Sequence, residues 1–203
     1  MNNESLDEKY WSQRYKSEST GWDLGEVSPP LQAYIDQLSN KNISILIPGC
    51  GNAYEASYLL QKGFTNITLV DISPILTDQL KRKFVNEIGK SIHVICDDFF
   101  NLQGQFDLIL EQTFFCSFKP ENREKYRDKI FSLLKADGKL VGVLFNREFT
   151  SSPPFGGNEA EYHKLFSSNF TIKTMSVCYN SAEPRQGSEL FVILAPSIPQ
   201  GGL

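Results

Sequence analysis

The chain has 203 residues, of which 40% are hydrophobic and 22% are charged, and its formal net charge is -4 at pH 7. This size indicates a single domain, and the composition is that of an ordinary globular protein. The acidic balance and the lack of basic clusters disfavour a nucleic-acid partner, and no apolar run is long enough for a membrane span.

The N-terminus and the cysteines indicate the compartment. Met1–Ser5 lacks the basic and apolar regions of a secretion signal. The four cysteines form no Cys-x-x-Cys pair, which disfavours a disulfide framework and a zinc site. The sequence therefore predicts a cytoplasmic protein without a metal or a membrane partner. Nothing marks a subunit interface, so a monomer is favoured.

Residues 5–35 form a polar segment with a few aromatic side chains. Trp11 and Tyr15 are four residues apart and share one face of a predicted helix, and Trp22 follows them. Such rings can simply hold the segment on the core. They can also pack against a sulfonium cation, each contact contributing ~0.5–2 kcal/mol. Pro29-Pro30 then predicts the start of a short helix over residues 31–38.

A strand predicted over residues 43–47 ends in the turn Gly49-Cys50-Gly51. Glycines at such a turn allow the backbone to bend sharply and a ligand to approach it closely. The next predicted helix covers residues 53–62, with Asn52 as its N-cap and Glu55 completing a capping box. This pattern predicts a β-turn-α unit that binds a nucleotide.

Asp71 follows a strand predicted over residues 67–70, at the place where an acidic side chain meets ribose hydroxyls in dinucleotide-binding folds. Tyr54 stands where the third glycine of those folds would be. This departure disfavours NAD and suits a ligand with one ribose and no phosphate, such as S-adenosylmethionine.

The remaining elements alternate between strands and helices. Ser73 is predicted to cap a helix that has Pro74 in its first turn. Helices are also predicted over residues 121–134 and 159–166, and strands over residues 92–96, 106–110, 140–145, 172–179 and 190–194. No helix separates the last two strands, so they should form an antiparallel pair. The prediction is a Rossmann-like α/β fold: a seven-stranded, mostly parallel sheet with an antiparallel C-terminal hairpin and helices on both faces.

Ligands of such sheets bind beyond the carboxyl ends of the strands. Asp98 and Phe99 follow the predicted third strand. A carboxylate there can accept a hydrogen bond from an adenine amino group, and a ring can pack on the base. The alternative is an acidic loop beside core phenylalanines.

Several segments in order resemble the thiopurine S-methyltransferase family, over nearly the whole chain. They are Trp11-x3-Tyr15-x6-Trp22-Asp23-x-Gly25, Ile47-Pro48-Gly49-Cys50-Gly51, Val70-Asp71-Ile72-Ser73, Asp98-Phe99, and Phe106-Asp107-Leu108-Ile109 followed by Phe114-Phe115-Cys116. Within the family, the chain most resembles the methyl halide, thiol and thiocyanate methyltransferases.

The resemblance implies a class I methyltransferase that uses S-adenosylmethionine and releases S-adenosylhomocysteine. It also implies one domain over residues 1–203, with residues 1–40 as a cap over the cofactor. The candidate cofactor-binding residues are Trp11, Tyr15, Trp22, Gly49, Gly51, Asp71, Ile72, Asp98, Phe99, Glu111 and Gln112. Tyr15 stands where plant members usually have Trp, and Glu111-Gln112 stands where they commonly have Asp-Tyr.

The chain offers no evident general base. Its two histidines are His93, in a predicted strand, and His163, on a predicted helix. A soft anion such as a thiolate, bisulfide, thiocyanate or iodide needs no base, whereas an oxygen or amine nucleophile often does. The sequence thus favours a small soft acceptor, and no residue is assigned as catalytic.

The candidate acceptor-binding residues are Phe114, Phe115, Arg147 and Phe155. Arg147 follows the predicted fifth strand, where it could hold an anion or remain a solvated loop residue. Three other interpretations stay open: methylation of another small molecule, such as a thiopurine-like heterocycle, a metalloid or an amine; non-catalytic binding of S-adenosylmethionine; and an NAD-dependent oxidoreductase.

Overall fold

The computed structural model describes residues 5–197. Within that range the chain forms seven strands and six α-helices. The strands are β1 (Ile45–Pro48), β2 (Ile67–Asp71), β3 (Ile92–Cys96), β4 (Phe106–Gln112), β5 (Leu134–Phe145), β6 (Phe170–Val177) and β7 (Glu189–Pro196). The helices are α1 (Glu8–Lys16), α2 (Pro29–Ile35), α3 (Tyr54–Gln61), α4 (Pro74–Lys83), α5 (Arg123–Leu133) and α6 (Glu159–Phe166).

The seven strands form one sheet in the order β3-β2-β1-β4-β5-β7-β6. The pairs among β1 to β5 are parallel, and β7 runs antiparallel to both β5 and β6. Both β1 and β2 are buried along their whole length, as expected for parallel strands covered on both faces. The predicted fold class, strand count and C-terminal antiparallel pair are confirmed.

Helices cover both faces of the sheet and create two apolar layers. On one face, Ile45 and Ile47 pack with α2, α3 and α4. On the other face, Leu46 and Ile109 share a cluster with α5 and α6. Neighbouring residues of β1 fall into different layers because successive side chains of a strand point to opposite faces. In the described part of the chain, no helix is long and apolar enough to cross a membrane.

The start of α3 differs from the prediction. Ala53 precedes the helix in the left-handed conformation, with φ 53°, and no side chain caps the first turn. Asn52 instead donates through Nδ2 to Asp23, and Glu55 accepts from the backbone N–H of Ser28 at 3.2 Å. The predicted capping box is therefore wrong, because both side chains are recruited by the N-terminal segment. The predicted cap of α4 is confirmed, since Ser73 accepts from the N–H of Leu76.

The strand order places a crevice at one edge of the sheet. From β1 the chain moves outward to β2 and β3, and then returns to the other side of β1 to form β4. The carboxyl ends of β1 and β4 lie side by side at this reversal, where open α/β sheets bind their ligands. The crevice brings together Gly49, after β1, and Gln112, at the end of β4.

Candidate active site

A cavity of about 1010 Å³ opens at the carboxyl ends of β1, β2 and β4, and residues of α1 and of the segment that follows it line it. Its volume is at the upper end of the ~300–1,000 Å³ that small-molecule sites span. It therefore has room for a nucleoside-sized ligand and a second, smaller molecule.

Most of the predicted site residues meet at this cavity. Ten candidate cofactor residues line it: Trp11, Tyr15, Trp22, Gly49, Gly51, Asp71, Ile72, Asp98, Phe99 and Gln112. Among the candidate acceptor residues, Phe114 and Arg147 line it too. Glu111, Phe115 and Phe155 do not.

The turn after β1 leaves room for a ligand because of its glycines. Gly49 and Gly51 both adopt the left-handed conformation, with φ 54° and 50°. A Cβ at Gly49 would overlap the ring of Phe114, whereas a Cβ at Gly51 would lie 3.9 Å from the Tyr15 hydroxyl. Only glycine at position 49 allows Phe114 to stand against the backbone of the turn.

Asp71 provides a buried carboxylate at the end of β2. Its side chain is only 7% exposed, and Oδ1 accepts a hydrogen bond from the backbone N–H of Ser73 at 2.9 Å. Burial raises the pKa of Asp71 to about 6, although backbone donors oppose the shift. A carboxylate that is already removed from water binds hydroxyl donors with little further loss of solvation.

Gln112 presents a buried amide without partners. Among residues 5–197, neither its Oε1 nor its Nε2 has a hydrogen-bond partner, although both atoms are shielded from solvent. Buried polar groups in folded proteins are almost always paired, so an orphaned amide facing a cavity points to a ligand. A ligand with both donor and acceptor groups would satisfy it.

Three aromatic rings cover the cavity from the N-terminal side. Trp22 packs edge-on against Trp11, with centroids 5.5 Å apart, and against Tyr15, with centroids 5.9 Å apart. Burial raises the pKa of Tyr15 far above its usual value, so its hydroxyl is neutral. The three rings form a half-buried apolar surface over the crevice.

Hydrogen bonds fasten this N-terminal segment to the sheet. Ser12, on α1, shares a hydrogen bond of 2.9 Å with Ser73, two residues beyond Asp71. Asp23 accepts from the Asn52 amide and from the Tyr54 hydroxyl. The cavity-lining part of the segment runs from residue 5 to residue 26, and α2 packs instead on a face of the sheet. Of the residues 1–40 predicted as a cap, the structure thus places part of the range 5–26 at the cavity, and residues 1–4 lie outside the described range.

Arg185 is a site residue that sequence reasoning missed. It lines the cavity while only 7% exposed, pairs with the buried carboxylate of Glu189 at 3.4 Å, and donates to the Trp22 carbonyl. Asp23 also lines the cavity, although the sequence marks it only as part of the N-terminal motif. The Arg185–Trp22 contact joins positions 163 residues apart, and no local sequence signal announces it.

The positions of Asp98 and Phe99 are compatible with both interpretations of the sequence, contact with a base and a structural role in the loop. Asp98 lies at the rim of the cavity, where it also caps a short turn by accepting from the N–H of Phe100 at 2.9 Å. Phe99 lines the cavity but is only 4% exposed and packs edge-on against Phe114. Both residues can meet a base while also shaping the loop.

Three candidate residues turn away from the cavity. Glu111 is fully buried beneath the turn that follows β4, because Gln112, its neighbour on the strand, takes the side facing the cavity. Burial raises the pKa of Glu111 to about 7, opposed by three hydrogen-bond donors. Phe115 is 1% exposed and packs on Tyr126 in the core. Phe155 is half-buried, and its N–H donates to the Cys116 carbonyl at 2.7 Å.

Neither histidine lines the cavity. His93 lies on β3 and His163 on α6, and both are exposed. Over residues 5–197, no group of three or more His, Cys, Asp and Glu side chains is arranged to hold a metal ion.

The residues present fit an adenosine-type ligand. The glycine turn admits close approach to the backbone, Asp71 accepts from hydroxyl groups, and the orphaned amide of Gln112 calls for polar partners. The aromatic rings of the N-terminal segment line the cavity, and a cationic sulfur is stabilised where it lies over the face of such a ring.

Comparison with known proteins adds independent information. Residues 6–192 match the family model described as thiopurine S-methyltransferase. The probable thiol methyltransferase 2 of Arabidopsis thaliana is 29% identical over 185 residues, covering 88% of this chain and 81% of that protein. Thiocyanate methyltransferase 1 of Brassica oleracea is 26% identical, covering 75% of this chain and 69% of that protein.

A solved structure shows the same fold. The 1,6-didemethyltoxoflavin-N1-methyltransferase of Burkholderia thailandensis, with bound 1,6-didemethyltoxoflavin and S-adenosylhomocysteine, superposes with a TM-score of 0.71 at 19% identity. The match covers 97% of this chain and 92% of that one.

Proposed function

This chain belongs to the thiopurine S-methyltransferase family, and from that premise we propose that it transfers the methyl group of S-adenosylmethionine to a small soft nucleophile. The acceptor class comprises thiols, bisulfide, thiocyanate and halides. S-adenosylmethionine-dependent methyl transfer follows from the family; the acceptor class is our proposal.

We assign the cofactor to the crevice between β1 and β4. Asp71 would accept hydrogen bonds from the ribose hydroxyls, and the turn at Gly49 would lie against the amino-acid part of the ligand. Asp98 and Phe99 would meet the adenine, and the rings of Trp11 and Trp22 would cover the sulfonium. When bound, S-adenosylmethionine supplies an electrophilic methyl group on a positively charged sulfur.

We further propose that residues 5–26 act as a cap that excludes water. A thiolate loses its negative charge as its sulfur bonds to the methyl carbon and the carbon–sulfonium bond breaks, leaving a thioether and S-adenosylhomocysteine. Because water stabilises the separated ions best, an apolar, water-free site favours the transfer. The hydrogen bonds of Ser12 with Ser73 and of Asp23 with Asn52 fasten these residues beside the cavity.

Our proposal of the acceptor class rests on the residues that line the acceptor side of the cavity. Phe114, Phe149 and Pro154 give it apolar walls, and Arg147 adds a cation. Over residues 5–197 Arg147 pairs with no carboxylate; its guanidinium lies 4.9 Å from the centroid of the Phe149 ring, and its Nε donates to the Glu148 carbonyl at 3.4 Å. An anion that is easily desolvated and needs no general base suits these surroundings.

The direct test is a panel of acceptors. We expect S-adenosylhomocysteine to form from S-adenosylmethionine with bisulfide, thiocyanate, iodide or a small aryl thiol, with volatile methylated products detected in the headspace for the inorganic anions. Turnover with a thiopurine or an aryl thiol alone would favour a larger aromatic acceptor, for which the cavity has room. Turnover with amines alone would contradict the soft-nucleophile proposal.

Replacing Arg147 with glutamine should raise KM for thiocyanate and iodide and leave kcat little changed. Exposed charge interactions contribute ~0.2–1 kcal/mol, so we expect KM to increase roughly 1.5- to 5-fold. Lys173→Gln is the matched control, because it removes another exposed positive charge from β6, outside the cavity. Equal KM values in the two variants would show that Arg147 does not attract the acceptor.

A further inference from the structure

The carboxylate of Glu111 is built into the turn that follows β4. Its Oε1 accepts hydrogen bonds from the backbone N–H groups of Phe114 and Phe115, at 2.8 and 2.9 Å, and its Oε2 accepts from the Tyr126 hydroxyl at 2.7 Å. The side chain has no exposed surface. A buried carboxylate persists only where such bonds compensate its lost hydration, so these three bonds fix the position of Glu111 and of the groups that it binds.

The turn that Glu111 binds includes Phe114, whose side chain forms one wall of the cavity. Thr113 adopts the left-handed conformation, with φ 58°, which is unfavourable for a residue with a side chain. Phe114 follows it; its ring lies against Gly49 and packs on the rings of Phe99 and Phe118, at centroid distances of 5.1 and 4.8 Å. Glu111 is the side chain that accepts from the N–H groups of Phe114 and Phe115, so we expect its loss to loosen the turn and to let the Phe114 ring shift.

We propose that Glu111 and Tyr126 are positioning residues for the methyl acceptor: together they hold the turn at residues 113–116 so that Phe114 forms a fixed wall beside the Gly49 turn. This inference rests on the proposed function, because it assigns the Phe114 wall to the acceptor. Neither positioning residue touches the acceptor; each acts through the backbone of the turn.

Cys116 provides a reporter that needs no enzyme activity. Cys116 is 7% exposed and lies at the cavity wall. Its thiol donates a hydrogen bond to the Thr113 carbonyl at 3.2 Å, within the same turn. Loosening the turn should expose this thiol to N-ethylmaleimide. The exposed Cys96 is first replaced by serine, so that the reaction at Cys116 can be followed by peptide mass mapping.

The experiment compares four variants in the Cys96→Ser background. Glu111→Leu removes all three acceptor interactions at similar size, and Tyr126→Phe removes one. Glu111→Gln is the conservative variant, since its amide oxygen can keep both N–H groups while its NH2 donates to the tyrosine oxygen. Tyr162→Phe is the matched control; it deletes another buried hydroxyl of the same core, bonded to the Phe145 carbonyl at 2.8 Å.

We expect Glu111→Leu to raise the Cys116 reaction rate and lower kcat/KM for the acceptor, each about tenfold or more, because it leaves buried donors unpaired. Tyr126→Phe should give smaller changes in the same direction, and Glu111→Gln should restore most of the wild-type behaviour. The dissociation constant of S-adenosylhomocysteine should change less than about threefold, since Asp71 is untouched. Circular dichroism establishes that each variant is folded.

Two results would overturn the inference. One is a wild-type Cys116 rate together with unchanged kcat/KM in folded Glu111→Leu or, should that variant fail to fold, in folded Tyr126→Phe. The other is equal effects in Tyr126→Phe and Tyr162→Phe, which would indicate general softening of the core. Failure of the proposed function is separate: the wild-type protein would then methylate no soft acceptor, while the Cys116 rates would still report on the turn.

Discussion

Replacement of Asp71 by asparagine should weaken the binding of S-adenosylhomocysteine by about one to two orders of magnitude. The buried carboxylate at the end of β2 is placed to accept hydrogen bonds from the ribose hydroxyls. Hydrogen bonds to a charged group contribute ~1.5–3 kcal/mol, which corresponds to roughly 10- to 150-fold in affinity. Isothermal titration calorimetry of the wild type and the variant measures the difference.

The same residue predicts a pH dependence. Because burial raises the pKa of Asp71 to about 6, wild-type affinity should fall as the pH drops below that value, and the asparagine variant should not show this fall. The stability of the unliganded protein depends on pH in the opposite direction. The folded state holds the proton more tightly than the unfolded state, so this contribution to the free energy of unfolding decreases as the pH rises from 3.8 to about 6.

Asp78→Asn is the matched control for the charge change. Asp78 lies on α4 with its side chain 60% exposed, and it pairs with Lys81. We expect wild-type affinity for S-adenosylhomocysteine in this control. If Asp71→Asn also bound the ligand as tightly as the wild type at pH 7.5, the ribose would not lie at Asp71.

Replacement of Gly49 by alanine should abolish detectable binding of S-adenosylhomocysteine and destabilise the fold. The new methyl group would overlap the Phe114 ring, and alanine is disfavoured at φ 54°. The left-handed conformation costs ~1–2 kcal/mol, and forced repacking adds about 1–3 kcal/mol. Chemical denaturation measures the stability, and calorimetry measures the binding.

Gly89→Ala separates the backbone effect from the contact with Phe114. Gly89 also has a positive φ, 74°, but a Cβ there meets nothing within 4 Å. This control should lose roughly 1–2 kcal/mol of stability and bind S-adenosylhomocysteine normally. Equal stability losses and equal binding in the two variants would show that Phe114 does not press on the Gly49 turn.

Local patterns in the sequence predicted the fold and most of the cavity lining. Apolar runs with glycine, serine and proline at their ends located the strands and helices, because these signals act within a few residues of one another. Parallel strands then had to place their carboxyl ends at one edge. That geometry brings Gly49, Asp71 and Gln112 to a single crevice.

The wrong predictions of cavity residues concern side chains whose sequence neighbour faces the cavity in their place. The missed residues are those that reach the cavity through contacts between distant segments. Glu111 and Phe115 each have a neighbour facing the cavity, Gln112 and Phe114; alternation along β4 sends Glu111 inward, and the turn after β4 places Phe115 in the core. The pattern alone could not tell which member of each pair faces the ligand. Contacts of Arg185 with the cap depend on tertiary packing, and no local pattern encodes them.

The predicted capping box of α3 is wrong because tertiary contacts compete with a local preference. Asn52 and Glu55 have the spacing of a capping box, yet both side chains form hydrogen bonds with the N-terminal segment instead. Tertiary contacts with Asp23 and Ser28 therefore override a local preference worth ~1 kcal/mol.

The most direct test of the account follows an isotopically labelled methyl group from S-adenosylmethionine to thiocyanate and to a small aryl thiol. We predict that the label appears in the methylated acceptor in equal amount to the S-adenosylhomocysteine formed, at a rate that saturates with the acceptor and is lost in Gly49→Ala. Tight binding of S-adenosylhomocysteine with no labelled product from any soft nucleophile would contradict the proposed function and would indicate a different acceptor or a non-catalytic binding protein.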